Sequence, residues 1–256
     1  MFDFNNKVAL ITGGTTGIGF STAMMMAESG ATVAVAGRSE SKGQKALTRL
    51  KEMNENCIYI AADVSKTAAC QQVVQETVSR LGRLDILVNS AGVFMEGPID
   101  TFSEEDYHHV MDINVKGTFF MCQSALPEIR KSGGGAIVNV SSDSGIMGNR
   151  DGTLYCTSKG AVTLFTKALA VDVAKDNIRV NCVCPGDVLT PMFDKEAARS
   201  DDPQDYLEEI QRHYPVGRVG KPEEVAATIC FLASEIAPFV VGAAWSIDGG
   251  LTAFSY

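Results

Sequence analysis

The feature that most constrains this chain is a short apolar run that ends in glycines. Val8-Ala-Leu-Ile-Thr12 reads as a buried strand and leads directly into Gly13-Gly14-Thr15-Thr16-Gly17-Ile18-Gly19, after which a helical pattern begins. A strand, a glycine-rich turn and a helix N-terminus in that order form an anion site. Glycine lets the backbone approach a ligand closely, and the unpaired N–H groups of the first helical turn point at it. The spacing Gly13-x3-Gly17-x-Gly19 differs from the Gly-x-Gly-x-x-Gly of the general dinucleotide fingerprint. No Gly-Lys-Ser/Thr follows, as a P-loop would require.

The same strand-then-helix rhythm continues along the chain. Strands are expected at Thr32–Ala36, Cys57–Ala62, Asp85–Asn89, Ala136–Ser141, Ile178–Cys184 and Ala243–Ile247, nearly all apolar, as strands covered on both faces should be. Helical patterns occupy 18–29, 40–53, 66–81, 103–131, 153–175 and 222–233. This alternation predicts an α/β fold with a parallel sheet of about seven strands and right-handed crossovers. No linker or internal repeat divides residues 1–256, so a single domain is expected. Residues 187–215 break the rhythm with Pro191, Pro203 and Pro215 and an acidic helix-like patch at Tyr206–Gln211. A long excursion after a strand end predicts a substrate loop or lid.

Composition narrows the function. The net charge of -9 disfavours phosphate polymers and anionic membranes, so no nucleic-acid or membrane partner is expected, and an anionic ligand would need a local pocket. No apolar run approaches the ~18 residues of a membrane span. Met1–Asn6 lacks the basic start and apolar stretch of a signal peptide. The seven cysteines are scattered, and Cys182 and Cys184 do not have a zinc or redox spacing, which predicts reduced thiols in a cytoplasmic protein and no metal site. His108, His109 and His213 have no nucleophile motif beside them.

Seven motifs in register carry a resemblance. Thr12-Gly-x3-Gly-Ile-Gly19, Asp63-Val64, Asn89-Ser90-Ala91-Gly92, Asn114, Ser141-Ser142, Tyr155-x3-Lys159 and Pro185-Gly186 occur in that order. From about Lys7 to Gly250 the chain resembles the short-chain dehydrogenases/reductases. Ser90 departs from the second asparagine more usual in that family. The resemblance implies a Rossmann-like doubly wound sheet with helices on both faces. It also implies an oxidoreductase that moves a hydride between NAD(P)(H) and a ketone or secondary alcohol. Gly13, Thr15, Thr16, Gly17, Ile18 and Gly19 would hold the pyrophosphate. Asp63 and Val64 would meet the adenine, with Asn89, Ala91 and Gly92 beside the dinucleotide. Pro185, Gly186, Val188 and Thr190 would face the nicotinamide. Lys159 would bind the ribose, and Asn114 would anchor a water in a proton relay.

The residues themselves suggest the chemistry. Tyr155 and Lys159 are four apart in a helical pattern and share a face. A tyrosine ordinarily titrates near pH ~10, and a nearby ammonium is expected to lower that value, so that Tyr155 can exchange a proton with the reacting oxygen. Ser142, at a strand end, can hydrogen-bond the same oxygen. At the end of the second strand, Gly37 stands where an acid would bind a free ribose 2'-hydroxyl, and Arg38 and Ser39 follow. A guanidinium there favours NADP(H), with NAD(H) left open. Phe94, Met95, Ile146, Met147, Met192 and Phe193 predict an apolar substrate wall, suited to a 3-oxoacyl, steroid or cyclic alcohol substrate. The resemblance further implies a homotetramer through 103–131, 153–175 and Trp245–Gly250. The rival readings are a catalytically silent dinucleotide sensor, against which Tyr155 and Lys159 both stand, and a nucleic-acid-associated protein, against which the acidic charge stands.

Overall fold

In the computed structural model, which describes residues 2–253, every expected strand is found with its ends moved by at most one residue. They are β1 (Val8–Thr12), β2 (Thr32–Gly37), β3 (Ile58–Ala61), β4 (Ile86–Asn89), β5 (Gly135–Val140), β6 (Ile178–Pro185) and β7 (Ala244–Ile247). All pair in parallel in the order β3-β2-β1-β4-β5-β6-β7. The chain therefore runs outward from β1 to β3, crosses back to β4 and then runs out the other way to β7. The reversal leaves a crevice between β1 and β4 at the carboxyl ends of the strands, where open α/β sheets bind ligands.

Alternation along each strand builds two cores. Ile11, Val33, Val35, Val88 and Val138 face one side with Met26, Leu50 and Ile229. Leu10, Ala34, Leu87, Ile137 and Val180 face the other with Val73, Met121, Ile129 and Val173. Successive side chains point to opposite faces, so a strand covered on both must be apolar throughout. The first face is covered by α1 (Gly17–Glu28), α2 (Glu40–Met53) and α9 (Pro222–Ala233). The second is covered by α3 (Thr67–Leu81), α5 (Thr118–Lys131) and α6 (Thr153–Val173).

The expected helix 103–131 is not continuous. α4 (Glu104–Met111) and α5 are joined by a π-helical turn, Asp112–Gly117. A π turn inserts one residue into the helical register, and an apolar period of 3.6 does not report such an insertion. Tertiary contacts hold it in place. The Asn114 carboxamide accepts from the Val93 N–H and donates to the Val93 carbonyl, both at 2.9 Å. A Cβ at Gly117 would meet Val64 Cγ2 at 3.0 Å, so this helix backbone lies against the loop after β3.

Residues 187–215 are more regular than their polar composition suggests. They form α7 (Pro191–Ala197) and α8 (Pro203–Arg212). Each starts with a capping side chain, Thr190 or Asp202, followed by proline in the first turn, where its missing N–H costs nothing. The acidic patch expected as helical lies in α8, whereas α7 was hidden by its short length. Tyr214 ties off the excursion. Its hydroxyl accepts from the Asp187 N–H at 2.6 Å and donates to Asp187 Oδ2 at 2.9 Å. Among the described residues no helix is long and apolar enough to cross a membrane, and no cluster of three metal-ligating side chains is present.

Candidate active site

A cleft of about 420 Å³ opens at the carboxyl ends of β1, β4, β5 and β6. Its floor is the glycine turn. Gly13 and Gly17 have φ of +65° and +56°, a region that side chains rarely adopt. A Cβ on Gly13 would sit 2.7 Å from the Ala91 N, and one on Gly19 would sit 2.5 Å from the Gly13 carbonyl oxygen. The turn, the start of α1 and the end of β4 are thus packed backbone on backbone. α1 begins without a side-chain cap and without an acid in its first turn, leaving its N–H groups for an anion. These features fit a pyrophosphate.

One end of the cleft, where the adenosine is expected, is lined by Arg38, Ser39, Lys42, Asp63 and Val64. A Cβ on Gly37 would press against Thr15 Cγ2 at 3.0 Å, so the glycine turn fills the space where a larger residue would stand. Ser39 caps α2, accepting from the Lys42 N–H at 3.4 Å, and Lys42 lines the same end of the cleft as Arg38. Although partial burial opposes it, hydrogen bonding from Ser65 and the charges of Arg38 and Lys66 hold the Asp63 carboxyl below the usual range.

The opposite wall carries Ser142, Tyr155 and Lys159. α6 presents Tyr155 and Lys159 on one face, with the Lys159 Nζ 5.6 Å from the Tyr155 ring centre. Lys159 Nζ donates to the Val140 carbonyl at 2.9 Å. A Cβ on Gly92 would lie 3.6 Å from that nitrogen. Phe94 packs edge-on to the Tyr155 ring at 4.7 Å. Burial pushes Lys159 down to about 8. Burial also raises the Tyr155 phenol above its ordinary range, with Asp143, Glu196 and Asp187 adding to the rise and Ser142 opposing it. Burial thus acts against the lowering expected from Lys159. The ammonium is turned toward the Val140 carbonyl, and the nearby charges that act most on the phenol are carboxylates.

A family model described as enoyl-(acyl carrier protein) reductase matches residues 13–252. The chain belongs to the short-chain dehydrogenase/reductase family of NAD(P)-dependent oxidoreductases. It is 43% identical over 251 residues to an uncharacterised oxidoreductase of Thermotoga maritima, covering 98% of this chain and 99% of that one. It is 37% identical to the L-fucose dehydrogenase of Mus musculus, covering 96% and 89%. Its fold matches the crystal structure of Gluconobacter frateurii L-sorbose reductase complexed with NADPH and L-sorbose. The TM-score is 0.94 at 33% identity, covering 99% of each chain.

Within this short-chain dehydrogenase/reductase, most of the expected site residues line the cleft: Gly13, Thr15, Thr16, Gly17, Ile18, Arg38, Ser39, Asp63, Val64, Ala91, Gly92, Ser142, Tyr155, Lys159, Pro185, Gly186, Val188 and Thr190. Three do not. Gly19 packs α1 against the turn. Asn89 is buried in the sheet, donating to Asn139 Oδ1 at 2.9 Å and to Cys122 Sγ at 3.3 Å. Asn114 is buried in the π turn, bonded to Val93 and to Ser158 Oγ.

The substrate wall also differs from expectation. Phe94, Met192 and Phe193 line the cleft, whereas Met95, Ile146 and Met147 do not, and the last two are exposed. In their place stand Asp143, Ser144, Asn149, Asp187 and Glu196. Burial and the nearby Asp187 and Glu96 charges raise the Glu196 carboxyl to about 8. These polar residues belong to turns and to α7, and no motif spacing marks them. Lys42 was equally invisible.

Proposed function

We propose that this enzyme reduces a hydroxylated ketone with NADPH, or oxidises the corresponding secondary alcohol, with Tyr155 as general acid/base. The observation that carries this reading is the convergence of Ser142, Tyr155 and Lys159 on the wall facing the glycine turn. When bound, the dinucleotide supplies the hydride chemistry. The chain supplies the rest. The α1 N-terminus and the glycine turn hold the pyrophosphate. Arg38, Ser39 and Lys42 favour NADP(H), since two cations at the ribose end suit a 2'-phosphate. Lys159 holds the nicotinamide-side ribose. Burial keeps the Tyr155 phenol protonated, ready to donate to the carbonyl oxygen as it gains charge. Asn114, at the π turn, anchors the path by which that proton is replaced.

Support for a hydroxylated substrate comes from the wall itself, where Asn149, Ser144, Asp187 and Glu196 make the surface polar and Glu196 in particular offers a carboxyl that a substrate hydroxyl could meet. The L-fucose dehydrogenase and L-sorbose reductase relatives point the same way. The test is turnover of L-fucose, L-sorbose, cyclohexanol and an acetoacetyl thioester, followed by nicotinamide absorbance. Activity confined to the last two would overturn the substrate class. In Tyr155→Phe, turnover should nearly vanish while NADPH still binds; an active variant would overturn the role of Tyr155.

Residues 187–215 act as a lid in this reading, for Thr190 at the head of α7 already packs over Gly17. A homotetramer is proposed as well. Leu164 and Val171 are 69% and 78% exposed on the outer face of α6, with Phe119 exposed on α5 and Phe239 and Trp245 around β7. Apolar exposure of this kind suits subunit contacts. Leu164→Asp should reduce the mass measured by light scattering, and an unchanged mass would remove the α6 face from the interface. The seven cysteines are free, which suits a cytoplasmic location.

A further inference from the structure

Lys159 is held at both ends by two consecutive residues, Val140 at the end of β5 and Ser141 just after it. Its Nζ donates to the Val140 carbonyl at 2.9 Å, and its own carbonyl oxygen lies 3.0 Å from the Ser141 hydroxyl. Ser141 is buried, and its Oγ also lies 2.7 Å from Thr163 Oγ1, which reaches the same Lys159 oxygen at 3.0 Å. Two hydroxyl protons serve this cluster, and with the Lys159 oxygen as final acceptor neither is left unpaired. The Thr163 contact is local, because a helical threonine readily bonds the carbonyl four residues back. Thr157 and Thr166 do the same with the Thr153 and Val162 carbonyls. Ser141 is different. Among the described residues it is the one side chain from outside α6 that reaches a main-chain carbonyl of that helix. Gly145 closes over the same spot, where a Cβ would crowd Ser141 Oγ and lie 2.7 Å from Thr163 Oγ1 and 2.8 Å from the Lys159 oxygen.

We propose that Ser141 is a positioning residue, which ties the main chain of Lys159 to the end of β5 and so sets how far its ammonium reaches into the cleft. This rests on the reading of Lys159 as the holder of the nicotinamide-side ribose given above. A lysine side chain is long and flexible, so an anchor at its tip alone would leave its base free to shift with the helix. Here tip and base are both fastened to neighbouring residues, and the sheet rather than α6 sets the span between them. Ser141 is itself fixed, for its N–H donates to the Val183 carbonyl of β6 at 2.8 Å. An ammonium has three protons. Val140 takes one, which leaves two for the ribose hydroxyls.

The test compares two ligands by calorimetric titration: NADP+, and 2',5'-ADP, which lacks the nicotinamide-side ribose. Ser141→Ala leaves Thr163 its local partner, so no buried hydroxyl is stranded. It should weaken NADP+ by about 3- to 10-fold, up to the loss of one charge-assisted hydrogen bond, and leave 2',5'-ADP unchanged. NADP+ affinity equal to wild type overturns the proposal. An equal loss for both ligands overturns it too, because that pattern belongs to a residue that merely supports the fold. The double variant Ser141→Ala/Lys159→Met should bind NADP+ no more weakly than Lys159→Met alone, since a residue acting through Lys159 has nothing left to position. Additive losses would overturn the proposal by showing that Ser141 acts on its own. If Ser141→Ala does not fold, the near-isosteric Ser141→Cys, with its weaker donor, decides by the same pattern at smaller amplitude. Lys159→Met also separates this inference from the reading beneath it. If that variant binds NADP+ as wild type does, the ribose contact falls and the proposal with it. If it binds NADP+ weakly while Ser141→Ala does not, the proposal alone is overturned.

Discussion

Replacing Lys159 by methionine should stabilise the protein while abolishing its chemistry. The lysine is buried, and burial pushes its pKa from 10.5 to about 8. At neutral pH the ammonium is charged both folded and unfolded, and holding it charged in the fold costs about 3 kcal/mol, at about 1.4 kcal/mol per pH unit. Methionine has a similar length and no charge to desolvate. The variant loses the hydrogen bond to the Val140 carbonyl, worth about 1 kcal/mol. The balance is a gain of about 2 kcal/mol, which raises Tm by roughly 4–8 °C for a chain of this size. The gain depends on pH in a definite direction. Native Lys159 releases its proton near pH 8 and the unfolded chain near 10.5, so across that window the unfolded state binds more protons. The cost of the lysine, and with it the advantage of methionine, is full below pH 8 and disappears as pH approaches 10.5. Calorimetry of both proteins without dinucleotide at several pH values provides the assay. A Tm for Lys159→Met below wild type at pH 7 would refute the reasoning. Under the proposed ribose contact, the rise in Tm on adding NADP+ should also be smaller in the variant.

Three further outcomes are expected. Gly19→Ala brings a methyl to 2.5 Å from the Gly13 carbonyl oxygen, so it should cost about 1–3 kcal/mol in stability and weaken dinucleotide binding, read by calorimetric titration. Arg38→Ala combined with Lys42→Ala should raise KM for NADPH by about 10- to 100-fold, on the scale of lost charge-assisted contacts, and leave that for NADH nearly unchanged; equal effects on both would remove the 2'-phosphate assignment. Tyr214→Phe removes both hydrogen bonds to Asp187. It should speed hydrogen exchange across 187–213 and raise substrate KM, with NADPH affinity retained.

The strands and the glycine turn were legible in the sequence because both obey local rules. Ala9–Ile11 and Ala136–Val138 are apolar throughout because helices cover both faces of their strands. The Tyr155–Lys159 spacing was legible for the same reason, since one turn of helix sets which residues share a face. What escaped was anything settled by contacts between distant segments. The π turn at Asp112–Gly117 depends on Asn114 meeting Val93, and α7 depends on the loop after β6 folding back over Gly17.

By itself, then, the order of residues determined the alternating architecture, the glycine-rich turn and the one-face pairing of Tyr155 with Lys159, because each follows from neighbours in the chain. Only the tertiary structure decided what surrounds Tyr155. Tyr155 is raised because burial and carboxylates from three separate segments surround it, and the field at a buried atom is a sum over everything the fold brings near.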